Sequence, residues 1–171
     1  LQEMAPELVI VGEEIKTTRG ELIAYFLHEE IPKGLEPKEV IARVREQGGV
    51  VGVSHPLDRL RREAMGREDV LRIIEQVDFL EVSNARVIFP ADNRRAMELA
   101  REHGLPGTAG SDAHTVWEIG RAYMEMPAFT TPAEFLAALR EARIGGGLSS
   151  PLIHFFSTWA KIRCRIGIHS A

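Results

Sequence analysis

The sequence predicts an α/β fold. Short apolar runs at residues 50–53, 79–82 and 107–109 alternate with stretches of helical spacing, and glycine or proline punctuates most junctions. Strands alternating with helices in this way imply a parallel sheet covered by helices. These few strands leave undecided whether such a sheet is open or closed.

The elements follow in order. Residues 8–11 and 22–27 are two β-rich runs joined by a turn over 17–20. A helix starts at Pro37, a favoured first-turn residue, with Val40, Ile41 and Val44 on one face, and Gly48 and Gly49 stop it. "VVGVSHP" is a strand of buried type ended by Pro56. A charged stretch over 58–67 leads into a helical segment near 70–76, and "VDFLEVSN" is the next strand. "ADNRRAMELAREHG" is a helix that turns Ala96, Met97 and Ala100 inward and stops at Gly104. "GTAGSDAH" is a further strand end, and "RAYMEMP" another strand. Thr131, Pro132 and Glu134 spell a capping box, opening a helix to about Ala142 that packs through Phe135, Leu136 and Leu139. No internal repeat or long linker interrupts the series.

Composition narrows the function. A chain of 171 residues fits one domain, and its apolar share of 44% and charged share of 27% are those of a soluble globular protein. The net charge of −4 argues against duplex DNA as the main partner, so anionic substrates must be met by a local positive cluster or by metal ions. The single cysteine, Cys164, excludes an internal disulfide and a Cys-rich zinc site, and suits a cytoplasmic location. No apolar run approaches the ~18 residues of a spanning helix, so no membrane association is expected.

The metal-binding residue types are placed unevenly. Glu14 follows "LVIVGE", His55 follows "VVGVS", Glu81 and Asn84 close "VDFLEVSN", and Asp112 and His114 follow "GTAGS". Each lies at or just past the end of an apolar run. In parallel α/β architectures those ends share one face, where active sites collect. Carboxylates and imidazoles gathered there need a compensating charge, which a divalent cation supplies. Mixed oxygen and nitrogen donors suit Zn, Mn or Fe better than Ca. His28, His103 and His154 lack such a setting and read as ordinary surface or loop histidines.

In this order, "VGEEIKTTRGELIAYFL", "VSHPLDRLRREAMG", "FLEVSNAR", "ADNRRAMELA" and "GSDAHTVWEIGRAY" resemble the PHP (polymerase and histidinol phosphatase) family of metal-dependent phosphoesterases. The resemblance implies a distorted (β/α)7 TIM-like barrel over residues 1–150, with up to three metal ions at one face and hydrolysis of phosphate esters. Carried over position by position, it implies Glu14, His55, Asp112 and His114 as metal ligands. Glu13 is a neighbouring carboxylate, and Glu21 stands where some members have a histidine. The family's opening His-x-His and Asp-His segments are not in this sequence, so the chain reads as a barrel lacking its first βα units. That departure keeps a non-catalytic metal-binding or interaction module as the alternative. A hydrolase of C–N bonds is a third class, without a strand-end lysine here to support it.

The expected substrate is a phosphorylated small molecule or a short nucleic acid, hydrolysed by metal-activated water. His55 or His114 would assist proton transfer. Arg59 and Arg86 are the candidate phosphate contacts, since the guanidinium fork matches phosphate oxygens. Residues 151–171 carry Leu152, Phe155, Phe156, Trp159 and Ile162 at helical spacing and are expected to pack on the barrel as an amphipathic segment.

Overall fold

A computed structural model describes residues 9–150. Within them the order is β1 (Gly12–Lys16), β2 (Glu21–Tyr25), α1 (Pro37–Glu46), β3 (Val50–Val53), α2 (Gly66–Leu71), β4 (Phe79–Asn84), α3 (Pro90–Glu102), β5 (Gly107–Gly110), β6 (Ala122–Glu125), α4 (Pro132–Glu141) and β7 (Arg143–Gly146). Short 3-10 turns occur at Ile74–Gln76 and Val116–Glu118. Leu8 and the amphipathic segment 151–171 lie outside the described residues.

Strands β1 to β5 lie side by side in sequence order, and β6 and β7 form a separate antiparallel pair. The sheet is mixed, which corrects the all-parallel expectation: β1–β2 and β2–β3 are antiparallel, β3–β4 and β4–β5 parallel. Only residues 17–20 separate β1 from β2, too few for the crossover of a dozen or more residues that parallel neighbours need. With β2 reversed, β3 runs in the direction of β1, as do β4 and β5. Among the described residues no closed barrel forms: β6 and β7 are not hydrogen-bonded into the larger sheet.

Side-chain alternation divides the sheet into two faces. Leu22, Ala24, Val51, Val53, Leu80 and Val82 pack with Val40, Ile41 and Val44 of α1, Val70 of α2 and Leu99 of α3 in the main core. On the opposite face Tyr25, Val50 and Phe79 meet Phe135 and Leu139 of α4. Tyr25 stacks on Phe79 with ring centroids 5.6 Å apart, and Phe135 meets Tyr25 edge-on at 5.6 Å. This second face carries Glu14, Gly52 and Glu81 farther along, so an aromatic floor lies beneath a polar rim.

The helix punctuation is as the sequence indicates. Pro37 opens α1, and its buried face is Val40, Ile41 and Val44. The α4 cap is a reciprocal box, with the Thr131 hydroxyl accepting from the Glu134 N–H. In α3 the buried stripe is Ala96, Leu99 and Ala100, with Met97 partly buried beside it. Two strands differ from the sequence expectation. The first is not residues 8–11 but β1, Gly12–Lys16, which contains Glu14, because the four-residue turn over 17–20 pairs the segment just before it with β2. The other is β7, Arg-Ile-Gly-Gly, which lacks an apolar run; its Gly145 lies under the Tyr123 ring, where a Cβ would sit 2.5 Å from the ring.

A close approach of the same kind fixes Gly52. A Cβ there would lie 2.2 Å from the Phe79 ring and 2.7 Å from the Phe79 carbonyl oxygen, so the ring of the neighbouring strand uses the space a side chain would need. Gly52→Ala is expected to destabilise the fold by about 1–3 kcal/mol through overpacking. Urea unfolding measures this, and an unchanged midpoint would refute the packing described.

Candidate metal centre

Because β1, β3, β4 and β5 run in one direction and β2 in the other, the end of β1, the start of β2 and the ends of β3, β4 and β5 meet at one edge. His55 lies two residues beyond β3. Its ring is fully buried, and Nε2 is 3.2 Å from Glu14 Oε1 and 3.2 Å from Glu21 Oε2. Ser54 donates from its hydroxyl to Glu14 Oε1 at 2.6 Å. The donor atoms of Glu14, Glu21 and His55 all lie within 4.8 Å of one another, a spacing that could hold one metal ion.

Strand alternation selects Glu14 over Glu13. Glu14 faces this cluster, whereas Glu13 accepts from the Ile31 N–H at 3.0 Å on the other side of β1. Glu21 joins because it opens an antiparallel strand. A search for strand ends misses it, although the family resemblance sets Glu21 where some members have a histidine; the hairpin length of residues 17–20, which forces β2 to run backwards, is the signal in the residues themselves.

Asp112 and His114 lie on the segment after β5. The Asp112 carboxylate accepts from Arg61 Nη2 and, at 3.3 Å, from Asn84 Nδ2. The second Asn84 Nδ2 contact is to Glu81 Oε2 at 3.1 Å, and Glu81 Oε2 accepts from the His55 backbone N–H at 2.7 Å. Asp112 is thus linked to His55 through Asn84 and Glu81 rather than placed among the three clustered donors. His114 is half-exposed, and its Nδ1 is 2.9 Å from the Asp112 carbonyl oxygen. When Nδ1 carries the proton it donates to that carbonyl, which leaves Nε2 as the ring's acceptor.

Glu14, Glu21 and His114 line a cleft of about 550 Å³ together with Asp58, Arg61, Arg62 and Arg86. Arg86 is buried, and its Nη1 donates to Glu118 Oε1 at 2.5 Å. The other Glu118 oxygen accepts from the His114 N–H at 3.1 Å and the Thr115 hydroxyl at 3.0 Å, so one buried carboxylate ties Arg86 to the His114 segment. Arg59 is placed differently. Its guanidinium grips the buried Asp92 at 2.7 and 3.0 Å and lies 4.9 Å over the Phe89 ring, on the side of α3. Arg61 and Arg62 line the cleft instead; the sequence places Arg62 one turn from Arg59 but gives no sign of Arg61, because within the run Asp58–Arg67 spacing alone does not separate inward from outward arginines.

The electrostatics follow from these contacts. The hydrogen bond from His55 outweighs the opposing effect of burial and, helped by Ser54, lowers Glu14 to about 2. Burial opposes a charged His55, but the bonds to Glu14 and Glu21 win and raise it to about 9. Burial pushes Glu81 upward. A proton on His55 therefore compensates the two carboxylates, in the place where a metal ion would do so.

The signs set a pH window. Glu14 ionises near 2 instead of 4.5, so its contribution to stability is present above pH 4.5 and lost as pH falls through 2. His55 titrates near 9 instead of 6.5, so its contribution is present below pH 6.5 and lost as pH rises through 9. In chelator-treated protein the contact is therefore fully stabilising between these limits. NMR titration is expected to find an imidazole near 9 that His55→Asn abolishes; no imidazole above the ordinary range would contradict the arrangement.

Comparison with known proteins places the chain. Residues 90–144, from α3 into β7, match a family model described as PHP-associated. The uncharacterized protein MJ0417 of Methanocaldococcus jannaschii is 40% identical over 141 residues, covering 77% of this chain and 60% of that protein. Two crystal structures share the fold. A two-domain protein from Bacteroides vulgatus ATCC 8482, containing a predicted PHP-like metal-dependent phosphoesterase, has a TM-score of 0.64 at 19% identity, over 85% of this chain and 48% of that one. PsfC from Pseudomonas syringae PB-5123 has a TM-score of 0.63 at 17% identity, over 90% and 65% of the two chains. This chain thus spans less than two-thirds of each of these relatives.

Proposed function

Since this chain carries a PHP-family domain, of the metal-dependent phosphoesterase type, we propose that it works in the hydrolysis of phosphate esters of small molecules or short nucleic acids. The PHP-type barrel belongs to this reading, with the described sheet as its open part. The observation that carries it is the Glu14–Glu21–His55 donor cluster at the mouth of an arginine-lined cleft.

The donor set fits a divalent ion. Two carboxylates and one imidazole within 4.8 Å match the hard and borderline ligands that Mn, Zn and Fe accept. Glu14, Glu21 and His55 would hold the ion, with Asp112 and His114 as further donors on the adjoining segment. When bound, the ion supplies a water of lowered pKa and neutralises phosphate oxygens.

The chain's own residues do the rest. Arg86, held by Glu118, and Arg61, held by Asp112, present guanidinium groups to a phosphate in the cleft. Arg62 is exposed on the same cleft, without an ion pair among the described residues. His114 holds or accepts a proton at Nε2, because Nδ1 is committed to the Asp112 carbonyl. His55 is committed to two carboxylates and acts as a ligand. Arg59, bonded to Asp92, would contribute by fixing the segment that follows His55.

The full chain loaded with Mn²⁺ and desalted is expected to retain metal by elemental analysis and to release phosphate from a panel of phosphomonoesters and short oligonucleotides. Glu21→Gln should weaken metal retention by roughly 10-fold or more, as loss of a charged ligand implies. Arg62→Ala should raise KM with little change in kcat or Tm. Metal-free, inactive wild-type protein would defeat the proposal, and retained metal without turnover would leave a non-catalytic metal-binding module.

A further inference from the structure

We propose that Glu81 is a positioning residue for this centre: its buried carboxylate fixes the backbone at His55 and, through Asn84, the carboxylate of Asp112. The inference rests on the metal-centre reading and assigns Glu81 no direct contact with metal or substrate.

Glu81 sits on β4, on the face that also carries Phe79, and is 6% exposed. A carboxylate so placed is unfavourable unless hydrogen bonds compensate it. Its Oε2 accepts from the His55 N–H at 2.7 Å and from Asn84 Nδ2 at 3.1 Å, and lies 3.4 Å from the Ser54 hydroxyl oxygen. Each of these donors belongs to, or adjoins, a group at the cluster. Ser54 gives its one hydroxyl hydrogen to Glu14, and Asn84 uses its second amide hydrogen on Asp112.

The backbone shows what the link holds. Among the described residues only Phe26, His55 and Asp112 have positive φ without being glycine. His55 stands at φ +29° and Asp112 at +47°, in the region that side chains with a Cβ avoid and that surrounding contacts must impose. Both are tied to the Glu81–Asn84 connection, His55 through its backbone N–H and Asp112 through its carboxylate, which Arg61 also holds. Asn84 is itself oriented, because its Oδ1 accepts from the Arg86 N–H at 2.9 Å and so turns its amide hydrogens toward the two carboxylates. A neutral amide between two carboxylates lets them approach without a direct clash of charge.

Gly110 provides a second handle. A Cβ there would lie 2.6 Å from Glu81 Oε1, so glycine at this position leaves the carboxylate its room. Gly110→Ala would displace Glu81 without altering any ligand or any acceptor.

The test is Mn²⁺ affinity of the full chain by titration calorimetry and electron paramagnetic resonance. Glu81→Ala and Gly110→Ala should each weaken binding by roughly 10–100-fold, the range for supporting partners of metal ligands. Glu81→Gln keeps an acceptor oxygen of the same reach and should restore most of the affinity. If Glu81→Ala fails to fold, Gly110→Ala and Glu81→Gln carry the comparison. Recovery in Glu81→Gln alone supports positioning through the acceptor oxygen. Wild-type affinity in Gly110→Ala, or equal loss in the Gln and Ala variants, overturns it. A wild-type chain that binds no Mn²⁺ fails one step earlier, at the metal-centre reading.

Discussion

Glu14, Glu21 and Glu81 come from three different strands to one histidine, two to its ring and one to its backbone N–H. Like charges converge this closely only where something positive compensates them. In the metal-free chain that is the proton on His55, raised to about 9. The same geometry suits a divalent ion, because ligand atoms that share a proton can share a stronger Lewis acid once the proton leaves. Charge compensation at the sheet edge is the constraint on which the rest of the site depends.

Strand direction makes the convergence possible. A wholly parallel sheet would bring only C-terminal ends to this edge. The β1–β2 hairpin instead brings the start of β2, and with it Glu21, beside Glu14 and the residues after β3. Behind the rim, Tyr25, Phe79 and Phe135 form an apolar floor against which the polar groups cannot be hydrated from below. Burial there strengthens every hydrogen bond on His55 and Glu81 while penalising any left unmade.

The loops at the edge are held by buried acids. Asp92, in the first turn of α3, accepts from the Arg59 side chain and backbone and from Arg95, anchoring the segment after His55. Glu118 does the same for the segment after Asp112, through Arg86, Thr115 and the His114 N–H. Removing one partner of such a pair would strand a buried charge, so both segments are fixed more firmly than their polar sequences suggest.

Local pattern alone determined much of this protein: the α/β class, the helices opened by Pro37 and Thr131, the strands Val50–Val53 and Phe79–Asn84, and the position of His55 just past a strand; Glu14, expected past a strand end, lies in the middle of β1. Those features depend on neighbours three or four residues away, or on side-chain alternation within one strand. Tertiary structure decided what no local window contains. The reversal of β2 recruited Glu21. The Arg59 and Arg61 side chains took opposite partners although only two residues apart. Asp92 and Glu118 look like surface acids on the page but are buried by arginines 33 and 32 positions away. The four-residue turn before β2 hints at its reversal, but which side chains meet across the sheet edge, and the long-range ion pairs, arise only when distant segments pack, and no local window contains them.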